Sequence, residues 1–410
     1  MSIAYFPLQR QILSFGKNHL PLFERLRKGM SIYPSSTSEK ALLNKLERLK
    51  LVTYKNNPKD LKTYFEQNLA IFSPTRAALL LTNRCNLNCV YCYANADSVS
   101  RNDLSFSAAK AAIDMIVKNA KRQAKFAHLQ FHGGGEPTCA WSLLKNITEY
   151  FEDSVQRAGV QSFIGIATSG VIPQKRLFWL AEHIHEFCIS WDGPEKIHNI
   201  NRPKYNGLGS YNDVMRTFDY LDQLGKKYWV CSTVTTESLN IVPQIIPLLA
   251  GRPGCQAIYL EPVHQNGRGA NITPPNAKDF IDIFRNTKNA AKGRGVNIEY
   301  GSARSGYLNN RYCYAAEPGF NVTPEGYVTT CYMASSKSDP RSAPFFYGKY
   351  NEEIGEYEFD QKVIDRLQTR TAENIPACKD CFCKYHCAGG CLNQAGDVDR
   401  VCEYRCQITR

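Results

Sequence analysis

The chain has 410 residues, of which 43% are hydrophobic and 21% charged. That is ordinary globular composition and excludes a disordered chain, a collagen-like repeat and a coiled coil. Its net charge of +12 favours an acidic partner, and no run approaches the roughly 18 uncharged apolar residues of a membrane span. At roughly 150 residues per domain, two to three domains are expected. The start, MSIAYFPLQRQILSFGK, has no basic segment ahead of a long apolar run, so no signal peptide is expected and the chain is expected to be cytoplasmic. Sixteen cysteines in a reducing compartment point to metal binding or redox chemistry rather than a disulfide framework. No nucleic-acid or membrane partner is expected.

Residues 1–75 hold twelve Lys/Arg and five Asp/Glu, which places +7 of the net charge there. Leu22–Leu26 reads as a short helix. Ser38–Leu49 reads as a capped amphipathic helix with leucines at 42, 43, 46 and 49. A short strand at Leu51–Tyr54 would complete a small helical or winged-helix-like segment, or a simple extension packed on the main domain.

From residue 76 the pattern becomes regular. Apolar runs at 77–81, 127–131, 163–167, 187–191, 228–234 and 257–260 alternate with helical patterns at 105–123, 141–157, 174–184, 210–224, 241–250 and 277–292. Strands separated by helices imply a parallel sheet covered by helices. Six units are too few for an eight-fold barrel. They suit an α/β fold built as an open, partial (β/α)6 TIM-like barrel over 76–305, with ligands at the carboxyl ends of its strands. Residues 306–410 lose this periodicity and carry nine cysteines. With too few large apolar residues for a core of its own, this region would depend on metal ligation.

Directly after the first barrel strand comes Cys85-Asn86-Leu87-Asn88-Cys89-Val90-Tyr91-Cys92, a C-x3-C-x2-C loop. Three thiolates can hold three irons of a cubane and leave the fourth open, as reactive metal sites do. Here the chain resembles the radical S-adenosylmethionine (radical SAM) enzymes, from residue 76 to the C-terminus. The resemblance implies that the open iron binds S-adenosylmethionine, whose reductive cleavage yields a 5′-deoxyadenosyl radical that abstracts hydrogen from a substrate. The supporting segments resemble the family's in order. His132-Gly133-Gly134-Gly135-Glu136-Pro137 is similar to its GGE segment, with Gly134 and Gly135 letting the backbone approach the methionine moiety and Glu136 accepting from its ammonium. Thr168-Ser169-Gly170 stands where relatives often have T-N-G. Ser190-Trp191-Asp192-Gly193 resembles S-x-D-G, with Ser190 and Asp192 aimed at the cofactor. Arg202 occupies the place of the family's carboxylate partner, and Tyr91 would lie by the adenine.

Cys313-x12-Gly326-x4-Cys331 is followed by Cys378-x2-Cys381-x5-Cys387-x3-Cys391, then Cys402 and Cys406. This order resembles the SPASM (twitch-type) extension of radical SAM enzymes and implies two auxiliary [4Fe–4S] clusters, three in all. By resemblance Cys378, Cys381 and Cys387 bind the outer one with a late cysteine, Cys402 or in reserve Cys406. Cys313, Cys331 and Cys391 bind the inner one, which would have an open iron. Cys139, Cys188, Cys231, Cys255 and Cys383 are left over and read mostly as buried small hydrophobes.

SPASM enzymes mostly act on peptides or proteins. The resemblance therefore implies an oxidoreductase or maturase of ribosomally made precursor peptides (RiPPs) that forms crosslinks, epimerises residues, or rearranges or excises backbone. Its partners would be the precursor, a flavodoxin- or ferredoxin-type reductant, and a separate leader-binding protein where the N-terminal segment does not serve. The alternative is an anaerobic sulfatase-maturating enzyme that makes formylglycine. That branch carries an acidic base directly after the second SPASM cysteine, where this chain has Tyr332. A different class, an iron–sulfur electron carrier, is disfavoured by the intact cofactor-binding strand ends. The sequence names neither the catalytic residue nor the bond made.

Overall fold

The computed structural model describes residues 2–6, 11–27, 33–49, 51–52, 72–96, 101–301, 309–313, 319–337, 339, 342–379, 381 and 384–391. The chain opens with an antiparallel hairpin, β1 (Ser2–Phe6) and β2 (Gln11–Phe15). Two helices follow, α1 (Leu20–Arg27) and α2 (Thr37–Arg48). Leu22, Leu43 and Leu46 are buried between these elements, and Phe15 stacks on Phe23 at 4.0 Å. Both helices were legible in the sequence; the hairpin was not. Each of its two runs is only five residues long, too short for alternation to stand out in the sequence. The helix cap also differs: Ser36, two residues ahead of Ser38, accepts from the Glu39 N–H. Leu51 and Val52 are not in a strand, and the rest of the run to Tyr54 lies outside the described residues.

Seven parallel strands then stand side by side: β3 (Arg76–Leu79), β4 (Ala127–Phe131), β5 (Ser162–Thr168), β6 (Glu186–Ser190), β7 (Tyr228–Val234), β8 (Cys255–Pro262) and β9 (Asn297–Glu299). The seventh, β9, is three residues long and falls below what a sequence pattern reveals. Between them lie α3 (Phe106–Gln123), α4 (Trp141–Ala158), α5 (Gln174–His183), α6 (Glu195–Asn201), α7 (Tyr211–Gln223), α8 (Ile245–Leu249) and α9 (Ala277–Ala291). The helix expected over 241–250 is a 3-10 turn, Leu239–Gln244, running into α8. Pro243 lies inside that turn and removes an amide donor.

Successive side chains in a strand point to opposite faces, and the two faces of this sheet differ sharply. Leu79, Leu129, Phe131, Ile164, Ile166, Phe187, Ile189, Val230, Ile258 and Leu260 pack under the helices in one core. The opposite parity carries Arg76, His128, Gln130, Glu186, Cys188, Cys231, Tyr259 and Glu261. This is a TIM-like partial barrel whose inner face mixes these polar groups with Phe163 and Trp229.

The C-terminal region adds four strands to the same sheet: β10 (Phe320–Val322), β11 (Tyr327–Thr329), β12 (Phe346–Asn351) and β13 (Glu356–Phe359). β10 runs parallel to β3, and β11, β12 and β13 continue antiparallel. Phe320, Val322, Val328, Tyr347, Tyr357 and Ile364 of α10 (Gln361–Gln368) join the barrel core, and the Tyr357 hydroxyl donates to the Ala108 carbonyl of α3 at 2.8 Å. A short helix, α11 (Lys384–Cys387), ends the described chain.

Because Phe320 sits in this shared core, Phe320→Ala should cost about 3–5 kcal/mol. In chemical denaturation it should shift one transition; a separate second transition would show that the C-terminal strands fold alone.

Candidate active site

The C-x3-C-x2-C loop leaves the carboxyl end of β3 and is held from three sides. The Asn88 and Val90 amides donate to the carbonyls of Pro203 (2.7 Å) and Asn201 (2.9 Å), and Leu87 bridges to Lys204. Arg268 clamps the other side, with Nε on the Cys89 carbonyl, Nη1 on that of Ala96, and its amide on that of Cys92, each at 2.9 Å. From β4, the amides of Gly135 and Glu136 donate to Thr82 and Arg84 carbonyls, both at 2.8 Å. That approach explains two glycines. A Cβ on Gly135 would lie 2.0 Å from the Arg84 carbonyl oxygen, and Gly134 has φ +97°.

Glu136 is buried, and its carboxylate gathers the ends of β4 and β5. Oε1 accepts from the Thr138 amide (3.1 Å), the Thr138 hydroxyl (2.8 Å) and the Thr168 hydroxyl (2.9 Å), while Oε2 accepts from the Ser169 amide at 2.7 Å. An acceptor position remains on Oε2. The Ser169 hydroxyl donates to Asn86 Oδ1 at 3.1 Å, and Asn86 Nδ2 donates to the Val171 carbonyl at 2.8 Å. The third strand end is thereby tied to the cysteine loop.

Asp192, beyond β6, is the other hub. Its Oδ2 accepts from the Tyr91 hydroxyl and from Asn201 Nδ2 (3.2 Å); Oδ1 accepts from Arg202 Nη2 (3.2 Å) and the Thr233 amide (3.0 Å). Arg202 Nε lies 3.1 Å from Oδ2 but is not aimed for a hydrogen bond, so that contact is ionic only. The guanidinium also lies over the Tyr91 ring, 5.3 Å from its centroid. Burial is the largest influence and works against the charged carboxylate, but the Arg202 charge together with the hydrogen bonds from Tyr91 and Arg202 holds Asp192 below its ordinary range. Ser190 ends β6 in register with Cys231.

A relay behind this hub was invisible in the sequence. The Asp192 amide donates to His198 Nδ1 (3.3 Å), Nε2 shares a proton with Ser210 Oγ (2.9 Å), and that hydroxyl donates to the Arg202 carbonyl (2.6 Å). The tautomer that satisfies all three carries its proton on Nε2. Burial pushes the His198 pKa down to about 4. Nothing in the spacing of His198 or Ser210 marks them, because they serve backbone groups brought together by the fold.

Burial pushes the Cys85 thiol far up and Cys89 up to about 11, with the neighbouring cysteines adding to both. Among the described residues no group of three His, Cys, Asp or Glu could hold a single metal ion. Three separate thiolates in one half-buried loop need positive charge to balance them, and a cubane spreads its ligands over different irons. The donor set therefore fits an iron–sulfur cluster.

Tyr93 of the same loop reaches toward the C-terminal cysteines. Burial pushes its phenol up, and Cys92, Cys331, Tyr332 and Cys231 add to the shift. Cys331 is pushed up to about 12 by burial, with Cys391 and Cys313 among its neighbouring thiols. Tyr332 stacks on His132 (centroids 4.0 Å, planes 11° apart), and its hydroxyl accepts from Arg76 Nη2 at 3.4 Å. Cys378 and Cys387 are buried and Cys381 is half-buried. Cys383, Cys402 and Cys406 lie outside the described residues. Of the leftover cysteines Cys255 is a buried hydrophobe. Cys188 and Cys231 instead meet on the half-buried inner face of the sheet.

A family model for the radical SAM superfamily matches residues 79–237. An uncharacterised protein of Methanocaldococcus jannaschii is 31% identical over 210 residues, 50% of this chain and 68% of that one. A cysteine-type anaerobic sulfatase-maturating enzyme of Clostridium perfringens is 28% identical over 170 residues, 39% of this chain and 44% of that enzyme. The chain thus spans under half the length of this second relative. SuiB of Streptococcus suis, bound to S-adenosylmethionine, superposes with a TM-score of 0.58 at 15% identity over 94% of this chain and 91% of SuiB. Bound to its precursor peptide SuiA, it superposes at 0.57 and 14% identity over 93% and 85%. At these identities the likeness is one of fold.

Gly135→Ala should displace the cysteine loop and at least halve the iron retained after anaerobic reconstitution, read by iron assay. The unfolded His198 titrates near 6.5 and the folded one near 4, so the unfolded chain takes up this proton first on acidification. The stability it contributes is whole above pH 6.5 and is lost as the pH falls from 6.5 towards 4. Thermal unfolding of His198→Gln should therefore depend less steeply on pH between 6.5 and 5 than that of the parent; equal slopes would remove His198 from the balance.

Proposed function

As a member of the radical S-adenosylmethionine superfamily this chain is an enzyme, and we propose that its substrate is a ribosomally synthesised precursor peptide, modified during RiPP maturation. Cys85, Cys89 and Cys92 would hold the first [4Fe–4S] cluster. When bound, that cluster supplies the electron that cleaves S-adenosylmethionine to a 5′-deoxyadenosyl radical.

This chain's own residues position the cosubstrate. Glu136 presents its remaining acceptor position on Oε2 to an ammonium group, where a charge-assisted hydrogen bond is strong. Tyr91, fixed by Asp192 and covered by Arg202, offers a rigid aromatic face for adenine. Gly134 and Gly135 keep the strand end free of side chains. Arg202 is committed to Asp192, so its part is to hold that loop as well as to add positive charge near a carboxylate. Cys313, Cys331 and Cys391 would hold an inner auxiliary cluster. Cys378, Cys381 and Cys387, with Cys402 or Cys406, would hold an outer one. The flavodoxin- or ferredoxin-type reductant belongs to the same proposal.

The observation that carries the peptide reading is Tyr332. It stands directly after Cys331, the place at which a formylglycine-forming enzyme would need a carboxylate base. It is stacked on His132 with Arg76 at its hydroxyl, so no acidic group is presented there. The N-terminal hairpin and its basic helices supply a strand edge and positive charge, the two features that suit an extended acidic leader. A separate leader-binding protein would make that edge dispensable. Formylglycine formation on a sulfatase is the second reading, favoured by the 28% identity to the Clostridium perfringens enzyme.

Anaerobic reconstitution should give about twelve irons per chain, four for each of three cubanes. Changing Cys85, Cys89 and Cys92 together to Ala should remove about four and abolish formation of 5′-deoxyadenosine from S-adenosylmethionine. About four irons in the parent protein would overturn the auxiliary clusters.

A further inference from the structure

Two cysteines outside every cluster set face each other on the inner wall of the barrel. Cys188 lies in β6 and Cys231 in β7. The register pairs Cys188 with Trp229 and Ser190 with Cys231, so the two are diagonal neighbours on one face of the sheet. Their Sγ atoms stand 3.0 Å apart, a sulfur-to-sulfur hydrogen bond one short movement away from a covalent bond. Neither is sealed in the core: both are half-buried, whereas Cys255 on the helix-facing side of β8 is buried.

Their position is informative. Two residues beyond Cys231 the Thr233 amide donates to Asp192 Oδ1. Two residues beyond Cys188 is Ser190, and Asp192 follows it. The dithiol therefore lies one layer beneath the Asp192–Arg202–Tyr91 hub, on the side where a substrate bound within the barrel would meet it. Tyr259 of β8 stands in register with Cys231 on the same face of the sheet, so the pair faces the inside of the barrel. The shared hydrogen bond and burial keep Cys188 in its thiol form.

We propose that Cys231 and Cys188 are a hydrogen-donating dithiol that returns a hydrogen atom to a carbon radical held in the barrel and closes to a disulfide. This rests on the reading of the site as a radical-generating one and narrows its outcome. Cys231 is the donor, because it is level with Ser190 and one layer nearer the hub. Cys188 is its resolving partner. In the first step a C–H bond forms as the Cys231 S–H bond breaks, leaving a thiyl radical. In the second the S–S bond forms while Cys188 loses its proton and one electron passes to a one-electron carrier of the ferredoxin or flavodoxin class. The dithiol has then lost one hydrogen atom, one proton and one electron. An external dithiol restores it by exchange and is itself left as a disulfide. A substrate carbon that regains hydrogen in this way keeps its bonds and can change only its configuration. The reaction class is then epimerisation of a peptide residue rather than crosslinking.

Two measurements on the full-length, reconstituted protein test this. First, the protein is equilibrated anaerobically with mixtures of reduced and oxidised dithiothreitol, quenched with an alkylating agent and mapped by peptide mass spectrometry. A Cys188–Cys231 linked peptide should accumulate as the mixture becomes more oxidising. Second, S-adenosylmethionine is cleaved in D2O with titanium(III) citrate and no peptide added. The 5′-deoxyadenosine formed should carry one deuterium at its 5′ carbon, because the 5′-deoxyadenosyl radical then takes the thiol deuterium itself, and Cys231→Ala should lower the deuterium content per 5′-deoxyadenosine at least fivefold. Absence of the linked peptide at every mixture, or equal deuterium in parent and variant, would overturn the proposal and leave the radical reading standing. Failure of the parent to cleave S-adenosylmethionine would overturn the radical reading itself. The mapping needs no variant, so misfolding of Cys231→Ala would not rescue the idea.

Discussion

The Asp192–Arg202 pair is the constraint on which the site depends. Asp192 is 4% exposed and Arg202 7%, so both charges have left water at a penalty of several kcal/mol per ion. The penalty is offset only because Asp192 accepts four hydrogen bonds, drawn from the cysteine loop, from α6, from the segment after it and from β7. The donors come from three stretches of chain, since Asn201 and Arg202 are adjacent. Satisfying one carboxylate therefore fixes the mutual positions of the carboxyl ends of β6 and β7, the end of α6 and the loop that carries Cys85, Cys89 and Cys92. Removing either partner would leave an unpaired buried charge, a loss of about 3–5 kcal/mol, and would release the loop besides.

Glu136 does the same work on the other side of the loop with uncharged donors. Its carboxylate is held by two hydroxyls and two amides, and β4 approaches so closely that only glycine fits at position 135. The cysteine loop is thus gripped between two carboxylates, one neutralised by Arg202 and one held by dipoles. The difference matters for ligand binding. Asp192 has no capacity left for a further positive group, whereas Glu136 keeps an acceptor position. A cationic ligand at this site would be drawn to the Glu136 side.

Much of this was legible in the sequence because strand ends carry short motifs that local chemistry explains. The C-x3-C-x2-C loop, the glycines before Glu136, and Asp192 two residues past Ser190 each lie at a carboxyl strand end, where the alternation of apolar runs and helices already located them. The illegible parts share one physical reason: they depend on contacts remote in sequence. His198 and Ser210 serve backbone groups and carry no spacing signal. Arg268 clamps a loop more than 170 residues earlier. Cys188 and Cys231, 43 positions apart, belong to two ordinary strand runs, and only the β6–β7 register brings them together. The C-terminal strands leave little trace in the sequence because each is three to six residues long and finds its core on the barrel rather than within its own segment.

That shared core has a functional consequence. β10 pairs directly with β3, and β3 is the strand that launches the cysteine loop, while Cys331 follows β11, the next strand outward. The distance between the first cysteine loop and the Cys313–Cys331–Cys391 group is therefore set by sheet hydrogen bonds and not by a linker. Tyr93 bridges the remaining gap, sensing Cys92 on one side and Cys331 with Tyr332 on the other. A hinge between two independently folded units would let that spacing vary. A continuous eleven-stranded sheet does not, because moving Cys331 away from Cys92 would require breaking the β10–β3 ladder and withdrawing Phe320 and Val322 from the core beneath it.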